Sequence, residues 1–283
     1  LGKRATMTTG GTASGAVSTE HDAGMFIDKL RSASSVLEAG ATVVSGVERN
    51  FTVPKLAADA TASWLAEGVA VSDSAVDVGS ISMSMKRVSA SQTFAREALL
   101  QSQPSVDEIV RRSIGTTLMQ AIDLAGLEGT GTGGQPTGVA DTSGVNTLTA
   151  AAGGTLTYAE ALTALGAIEA DDIATDRAAW IMNPLDYARI ANTAVDAGSG
   201  QFVIDPKSST LLGRRVIQTT KASAGSVYLG VWEQLLVALF GGVDLIVDPY
   251  TNATSAKIAI TSHMLADVNV RHAEAFNVIT LTS

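Results

Sequence analysis

Two stretches of the chain alternate with a period of two across a gap that has no means of folding by itself. Along Val47–Val53 the side chains of Val47, Phe51 and Val53 fall on one side, and Pro54 closes the run. The chain returns at Val76–Lys86, where Ile81, Met83 and Met85 face one way and Ser82, Ser84 and Lys86 the other. Gly79–Ser80 shifts the phase as a bulge would. The intervening Ala57–Ser74 carries Trp64 but neither Lys nor Arg, and too few large apolar residues for a core of its own. The spacing therefore predicts a long hairpin that projects from the body. A two-stranded arm is marginal in water, so it needs a neighbour to lie on.

The rest of the chain supplies a body and a second extension. Leu1–Gly24 is Thr, Gly, Ser and Ala with hardly a large apolar residue, and such a segment buries too little surface to offset its ordering entropy alone. Met25–Leu37 offers Phe26, Ile27, Leu30 and Leu37 to a short amphipathic helix or turn, and Val43–Val44 begin an extended stretch. Ser105 and Glu108 form a capping box after Pro104. Val106, Ile109, Val110, Ile114, Leu118, Ala121 and Ala125 then make one apolar stripe to Glu128. That predicts a helix of about 36 Å at 1.5 Å per residue. A second box, Thr157 to Glu160, opens a helix through Leu162, Leu165 and Ile168. Ala178–Met182 reads as a short buried strand ended by Asn183-Pro184, with Pro184 at the first position of a helix through Leu185, Tyr187 and Ile190. Strands follow at Arg214–Thr219, Val227–Leu229, Leu235–Phe240 and Val243–Val247, and twice more after Ala256. Helices and strands mix without regular alternation, which points to an α+β fold.

Charge and composition exclude several functions. The 283 residues hold 19 Lys and Arg against 28 Asp and Glu, a net charge of −9, opposite to the basic footprint of sequence-specific nucleic-acid readers. There is no cysteine, hence no disulfide, thiolate zinc site, iron–sulfur cluster or Cys nucleophile. The longest apolar run, Leu235–Phe240, is strand-sized and far from the roughly 18 residues of a membrane helix. The start at Leu1, without Met and without a signal-peptide core, fits a processed or trimmed end.

No assembled catalytic set emerges. Gly129, Gly131 and Gly134 satisfy G-x-G-x-x-G, but a dinucleotide loop follows a strand and opens a helix, whereas this one follows a helix. A helix C-cap and turn is the expectation. Glu169, Asp171, Asp172 and Asp176 are dense but lack calcium-loop spacing, and read as a solvated helix end. His263 and His272 stand nine apart with no metal-pair pattern, and no serine sits in Gly-x-Ser-x-Gly. Trp64, Trp180 and Trp232 lack the basic setting of base-stacking residues, so packing is expected of them. No catalytic, cofactor-binding or metal-binding residue is assigned, and no cofactor.

The order of parts carries a resemblance. The long helix ends in Gly129-x-Gly131-x-x-x-x-Pro136-x-Gly138, a later strand ends in Met182-Asn183-Pro184, and Leu211-Leu212-Gly213-Arg214-Arg215-Val216 follows. Arg271 with Ala275-Phe276 comes near the end. In this order and spacing, from about Gly10 to Ser283, the chain resembles the major capsid proteins of tailed bacteriophages with the Hong Kong ninety-seven-type fold. The resemblance implies an N-terminal arm and connection over 1–46, an extended E-loop hairpin over 47–87 and a peripheral domain with its spine helix over 88–154. An axial domain over 155–247 and C-terminal strands returning to the peripheral domain over 248–283 complete it. It further implies hexamers and pentamers of this chain in an icosahedral shell, part of the virion, enclosing double-stranded DNA without reading its sequence. Cement, scaffold, portal and maturation-protease proteins are the partners that the family suggests, and a membrane is not. Apolar residues of the two extensions, Phe26, Phe51, Trp64, Ile81, Met83 and Met85, are the candidates for contact between subunits. Some members cross-link an E-loop Lys to a neighbouring Asn, yet Leu56–Met85 has no Lys, so a shell held non-covalently is expected. The rivals are an encapsulin-type nanocompartment, which shares the fold, and a soluble enzyme.

Overall fold

A computed structural model describes residues 34–58, 64, 77–95, 106–151, 153–196, 198, 200–205 and 207–282. Phe26 and the capping residue Ser105 lie outside them. In chain order the elements are α1 (Ser35–Ala39), β1 (Thr42–Ser45), β2 (Phe51–Ala58), β3 (Asp77–Met83), β4 (Lys86–Ala95), α2 (Val106–Glu128) and β5 (Asn146–Ala150). Then come α3 (Tyr158–Ala170), β6 (Ala179–Met182), α4 (Pro184–Ala191), β7 (Ile204–Asp205), β8 (Thr210–Leu211) and β9 (Arg214–Gln218). The last are β10 (Ser226–Gly230), β11 (Leu235–Asp248), β12 (Lys257–Val270) and β13 (Phe276–Leu281). The mixture is α+β, as the irregular alternation predicts.

Three sheets organise these strands. A four-stranded sheet runs β1-β11-β12-β4, a seven-stranded one runs β5-β13-β10-β6-β9-β8-β7, and β2 pairs with β3 alone. The run Leu235–Phe240 is apolar without alternation because β11 is buried on both faces. Leu235, Val237 and Leu239 join the main core, while Leu236, Ala238 and Phe240 belong to a second, smaller cluster. The sequence suggests two strands at 235–240 and 243–247, but the chain forms one strand of 14 residues. Its register against β12 slips between Phe240 and Asp244, at Gly241 with φ of +72°.

Two pairings cross the expected segment limits. β11, which ends at Asp248, pairs with β12 in the four-stranded sheet. β5 and β13, assigned in sequence to peripheral segments, pair with each other and through β13 with β10 in the seven-stranded sheet. Strand β4 is also missing from the sequence reading, because its inward side (Val88, Ala90, Phe94) alternates with Ser and Thr too small to mark a strand clearly.

The helices follow their local signals. Thr157 caps α3 and the box with Glu160 is reciprocal. Asn183 caps α4 with Pro184 in the first turn. On α3 the buried side is Ala161, Ala164 and Ile168, whereas Leu162 is exposed; small residues let the helix approach β13 closely, and Asn277 Nδ2 donates to the Ala164 carbonyl at 3.2 Å. Trp180 and Trp232 are core residues, their indole N–H groups donating to Leu211 O at 3.2 Å and Ala179 O at 2.9 Å.

Candidate functional site

Where the β2–β3 hairpin leaves the body, backbone groups that fit neither ladder must find other partners. β3 pairs only with β2, and β4 pairs with β12 from Lys86 onward. Between them Ser84 N donates to Asp267 Oδ2 at 2.8 Å and Met85 N to Asn50 Oδ1 at 3.0 Å. Lys86 Nζ donates to Asp267 Oδ1 at 2.9 Å, and Asn269 Nδ2 to the Ser82 carbonyl at 3.4 Å. Below this polar joint Ile81 and Met83 pack on Leu236, Ala238 and Phe240, with Val47, Phe51, Val53 and Leu265 around them. The Phe51 and Phe240 rings lie 6.0 Å apart.

The geometry gives each described contact candidate its place within the chain. Met83 is 0% and Ile81 6% exposed, both packed within their own chain because β11 presents an apolar second face. They are not free to touch another subunit in this arrangement. Phe51 is half-buried in the same cluster. Met85 does not share the side of Met83, since the pairing breaks after β3, and it is 37% exposed. Trp64 is fully exposed, at 104%. The ladder with β2 runs in register through Gly79 and Ser80, so the bulge expected there is absent and the slip lies instead between Leu56 and Ala58. Val78, also well exposed, therefore shares the outer face of Ser80 and Ser82. Pro54 does not end the strand. It lies within β2 opposite Ser80, on a hairpin whose outer edges pair with nothing among the described residues.

The first described helix, α1, is held in a similar way. Asp123 of α2 is buried and accepts from Ser35 N and Ser35 Oγ, both at 2.7 Å, from Val36 N at 3.3 Å, and from Ser34 Oγ. The carboxylate thus meets the first turn of α1, a favourable place for negative charge. The only sequence signal is an acid flanked by Ile122 and Leu124 beside the apolar stripe.

The glycine motif is a helix terminus. Gly138 N donates to Gly129 O at 2.8 Å and Gly131 N to Pro136 O at 3.0 Å, while Val139 and Ala140 N–H groups cap the carbonyls of Gly126 and Leu127 at 2.9 Å. A Cβ on Gly129 would lie 2.3 Å from Pro136 O, and one on Gly138 2.5 Å from Gly129 N. These two positions are glycine for close backbone approach, not for phosphate. At the same helix end Glu128 accepts from Ser223 N and Ser223 Oγ, each at 2.6 Å, and from Tyr228 OH at 2.9 Å. Burial, then the adjoining Glu128 carboxylate, push the Tyr228 phenol well above its ordinary pKa. A groove of about 390 Å³ lies beside this turn, between β4 and α2, lined mainly by Val88, Leu124, Ala125 and Pro136 with Lys86 and Glu128 at its edges.

Three of the residues screened for chemistry have structural partners. Glu169 accepts from Thr175 Oγ1 at 2.7 Å, and Asp171 from Asn146 Nδ2 at 3.3 Å. His263 Nδ1 is 2.9 Å from Ser89 Oγ. Among the described residues no three His, Asp or Glu are grouped to hold a metal, and no helix is long and apolar enough to cross a membrane.

Comparison with known proteins agrees with the geometry. The model of the Phage capsid family matches residues 15–281. The major capsid protein of Halomonas phage phiHAP-1 is 27% identical over 262 residues, covering 93% of this chain and 43% of the relative. The chain therefore spans less than half the length of that curated relative. Among solved structures, the capsid of the native GTA particle superposes with a TM-score of 0.71 at 17% identity, over 88% of this chain and 90% of the other. A structure from Microbacterium phage Oxtober96 gives 0.71 at 15% identity, over 88% and 91%.

Proposed function

The chain belongs to the phage capsid family, and from that premise we propose that it is a major capsid protein whose copies build the icosahedral shell around the double-stranded DNA of a tailed bacteriophage. The observation that carries this reading is a hairpin rooted on the buried carboxylate of Asp267 and bearing the exposed Trp64 and Val78, on a body matched by the family along almost its whole length. Surface of that kind is stabilising only against another copy, so stability belongs partly to the lattice.

In this reading the β2–β3 hairpin is the E-loop, and residues before Ser34 are the N-terminal arm. Helix α2 with the four-stranded sheet is the peripheral unit, and the seven-stranded sheet with α3 and α4 is the axial unit around which hexamers and pentamers close. A net charge of −9 suits a container that admits and releases a genome without gripping it. The absence of Lys from Leu56–Met85 favours a non-covalent shell, with cement, scaffold, portal and protease proteins as candidate partners. Electron microscopy of the purified protein with sedimentation tests the reading. Uniform icosahedral shells containing DNA are expected; shells around protein cargo would make it a nanocompartment, and a small oligomer under every condition would overturn both.

A further inference from the structure

The hairpin and the body are separate hydrogen-bonded units. No backbone ladder joins β2 or β3 to the four-stranded sheet. Both covalent links between them lie outside strands: Gly46–Asn50 on one side, beginning at a glycine with φ of +81°, and Ser84–Met85 on the other. Among the described residues, what fixes the hairpin to the body is the five-residue buried cluster around Met83 and a few side-chain bonds to freed backbone groups, while Met85 N donating to Asn50 Oδ1 ties the two links together. Asp267 dominates these bonds. Its side chain is 2% exposed, Oδ2 accepts from Ser84 N and Ser84 Oγ, and Oδ1 accepts from Lys86 Nζ and Val268 N. One carboxylate therefore grips the last residue on the hairpin side and the first of the body strand.

We infer that Ser84–Met85 is a hinge for the hairpin and that Asp267, paired with Lys86, is the latch that holds it in one direction. The hairpin can then change its angle to the body without any sheet ladder being broken, and the latch decides which angle a free copy presents to its neighbours. Both Asp267 oxygens face donors only, so an amide in its place would turn an NH₂ toward Lys86 and Val268 N or toward Ser84 N. Replacement by Asn releases the latch with almost no change in volume.

The chain has no cysteine, so paired labels can be introduced cleanly. In unassembled full-length protein, spin labels at Ser80→Cys and Thr93→Cys, both exposed, report hairpin against body. Labels at Thr93→Cys and Ala140→Cys report the body alone. Dipolar spectroscopy is expected to give one narrow distance distribution for each pair, with Asp267→Asn losing it for the hairpin pair and keeping it for the body pair. Unchanged distributions in both pairs, or loss in both together, would overturn the hinge. Asn50→Ala, at an exposed position, frees Met85 N alone, and Lys86→Met removes the latch cation. Should Asp267→Asn not fold, an unchanged hairpin distribution in both of these variants overturns the inference. The measurement needs no assembly, so it stands or falls independently of the shell reading.

Discussion

Met83→Ala separates a residue that holds its own chain together from one that holds neighbouring copies together. Met83 is fully buried between the hairpin and β11, against Leu236, Ala238 and Phe240. Truncating a buried Met to Ala costs about 2–5 kcal/mol, the spread reflecting how far the site collapses. This cluster is small and one wall of it is a hairpin that shares no ladder with the body among the described residues, so partial collapse places the cost near the lower end, about 2–3 kcal/mol. The loss falls on the docking of hairpin to body, and because an undocked two-stranded hairpin is marginal in water and opens its own ladder, the assay should read that local opening. Hydrogen exchange on the unassembled chain does so where reclosing outruns exchange. Peptides covering Phe51–Ala58 and Asp77–Met83 should exchange about 30- to 150-fold faster, each 1.4 kcal/mol being a factor of ten. Strand β6 in the seven-stranded sheet should be unchanged. Unaltered exchange in the free chain together with failed assembly would refute this account and restore Met83 to the contact between subunits.

Trp64→Ala should behave in the opposite way. With Trp64 fully exposed, the free chain should keep its thermal midpoint while the yield of shells, read by sedimentation, falls. At the helix terminus, Gly129→Ala places a Cβ 2.3 Å from Pro136 O and 2.5 Å from Ala125 O, and backbone displacement of that kind should cost about 3 kcal/mol. Gly133→Ala meets nothing within 4 Å and only the strain of φ +61°, so about 1 kcal/mol is expected; equal losses in thermal unfolding would contradict the close-approach explanation. Burial of Glu160 pushes its pKa up, but hydrogen bonds from Ala151 N, Thr157 N and Thr157 Oγ1 outweigh it and leave the pKa lowered. A depressed folded-state pKa contributes stability above the unfolded-state value and loses it as pH falls through the folded one. Thr157→Ala should therefore cost about 1 kcal/mol at neutral pH and flatten the acid limb of the stability curve, and an acid limb unchanged from the parent would refute the assignment.

The parts legible in the sequence are those written in local chemistry. The Thr157–Glu160 box, the Asn183-Pro184 helix start and the glycine turn are set by neighbours within a few residues, and each folds as its pattern indicates. What sequence does not disclose is which surface an apolar face meets. The alternation that puts Ile81 and Met83 on one side of β3 holds, but whether that side faces another copy or β11 depends on a partner more than 150 positions away in the chain. The same is true of β11, where a break in the apolar run at Gly241–Gly242 reads locally as two strands and is bridged by the long ladder with β12. Asp123 and Asp267 carry no mark in the sequence for a related reason. Each is one acid among 28, and its importance comes from donors 88 and 183 positions away that the fold brings to it.

Those two carboxylates bear on how assembly and folding can be kept apart. A subunit that fixed its extensions by continuous sheet ladders would lose sheet hydrogen bonds whenever an extension had to be redirected on meeting a neighbour. Here the hairpin joins the body through side-chain bonds and a small apolar cluster, each of which can open without disturbing the ladder between β11 and β12. Removing one partner from a buried, hydrogen-bonded charge leaves unsatisfied groups and a large local penalty, so the joint is firm in its closed state and its failure is confined to the root. The body, with its two larger sheets and long helix, then keeps one structure while the angle of the hairpin becomes available for the lattice to set.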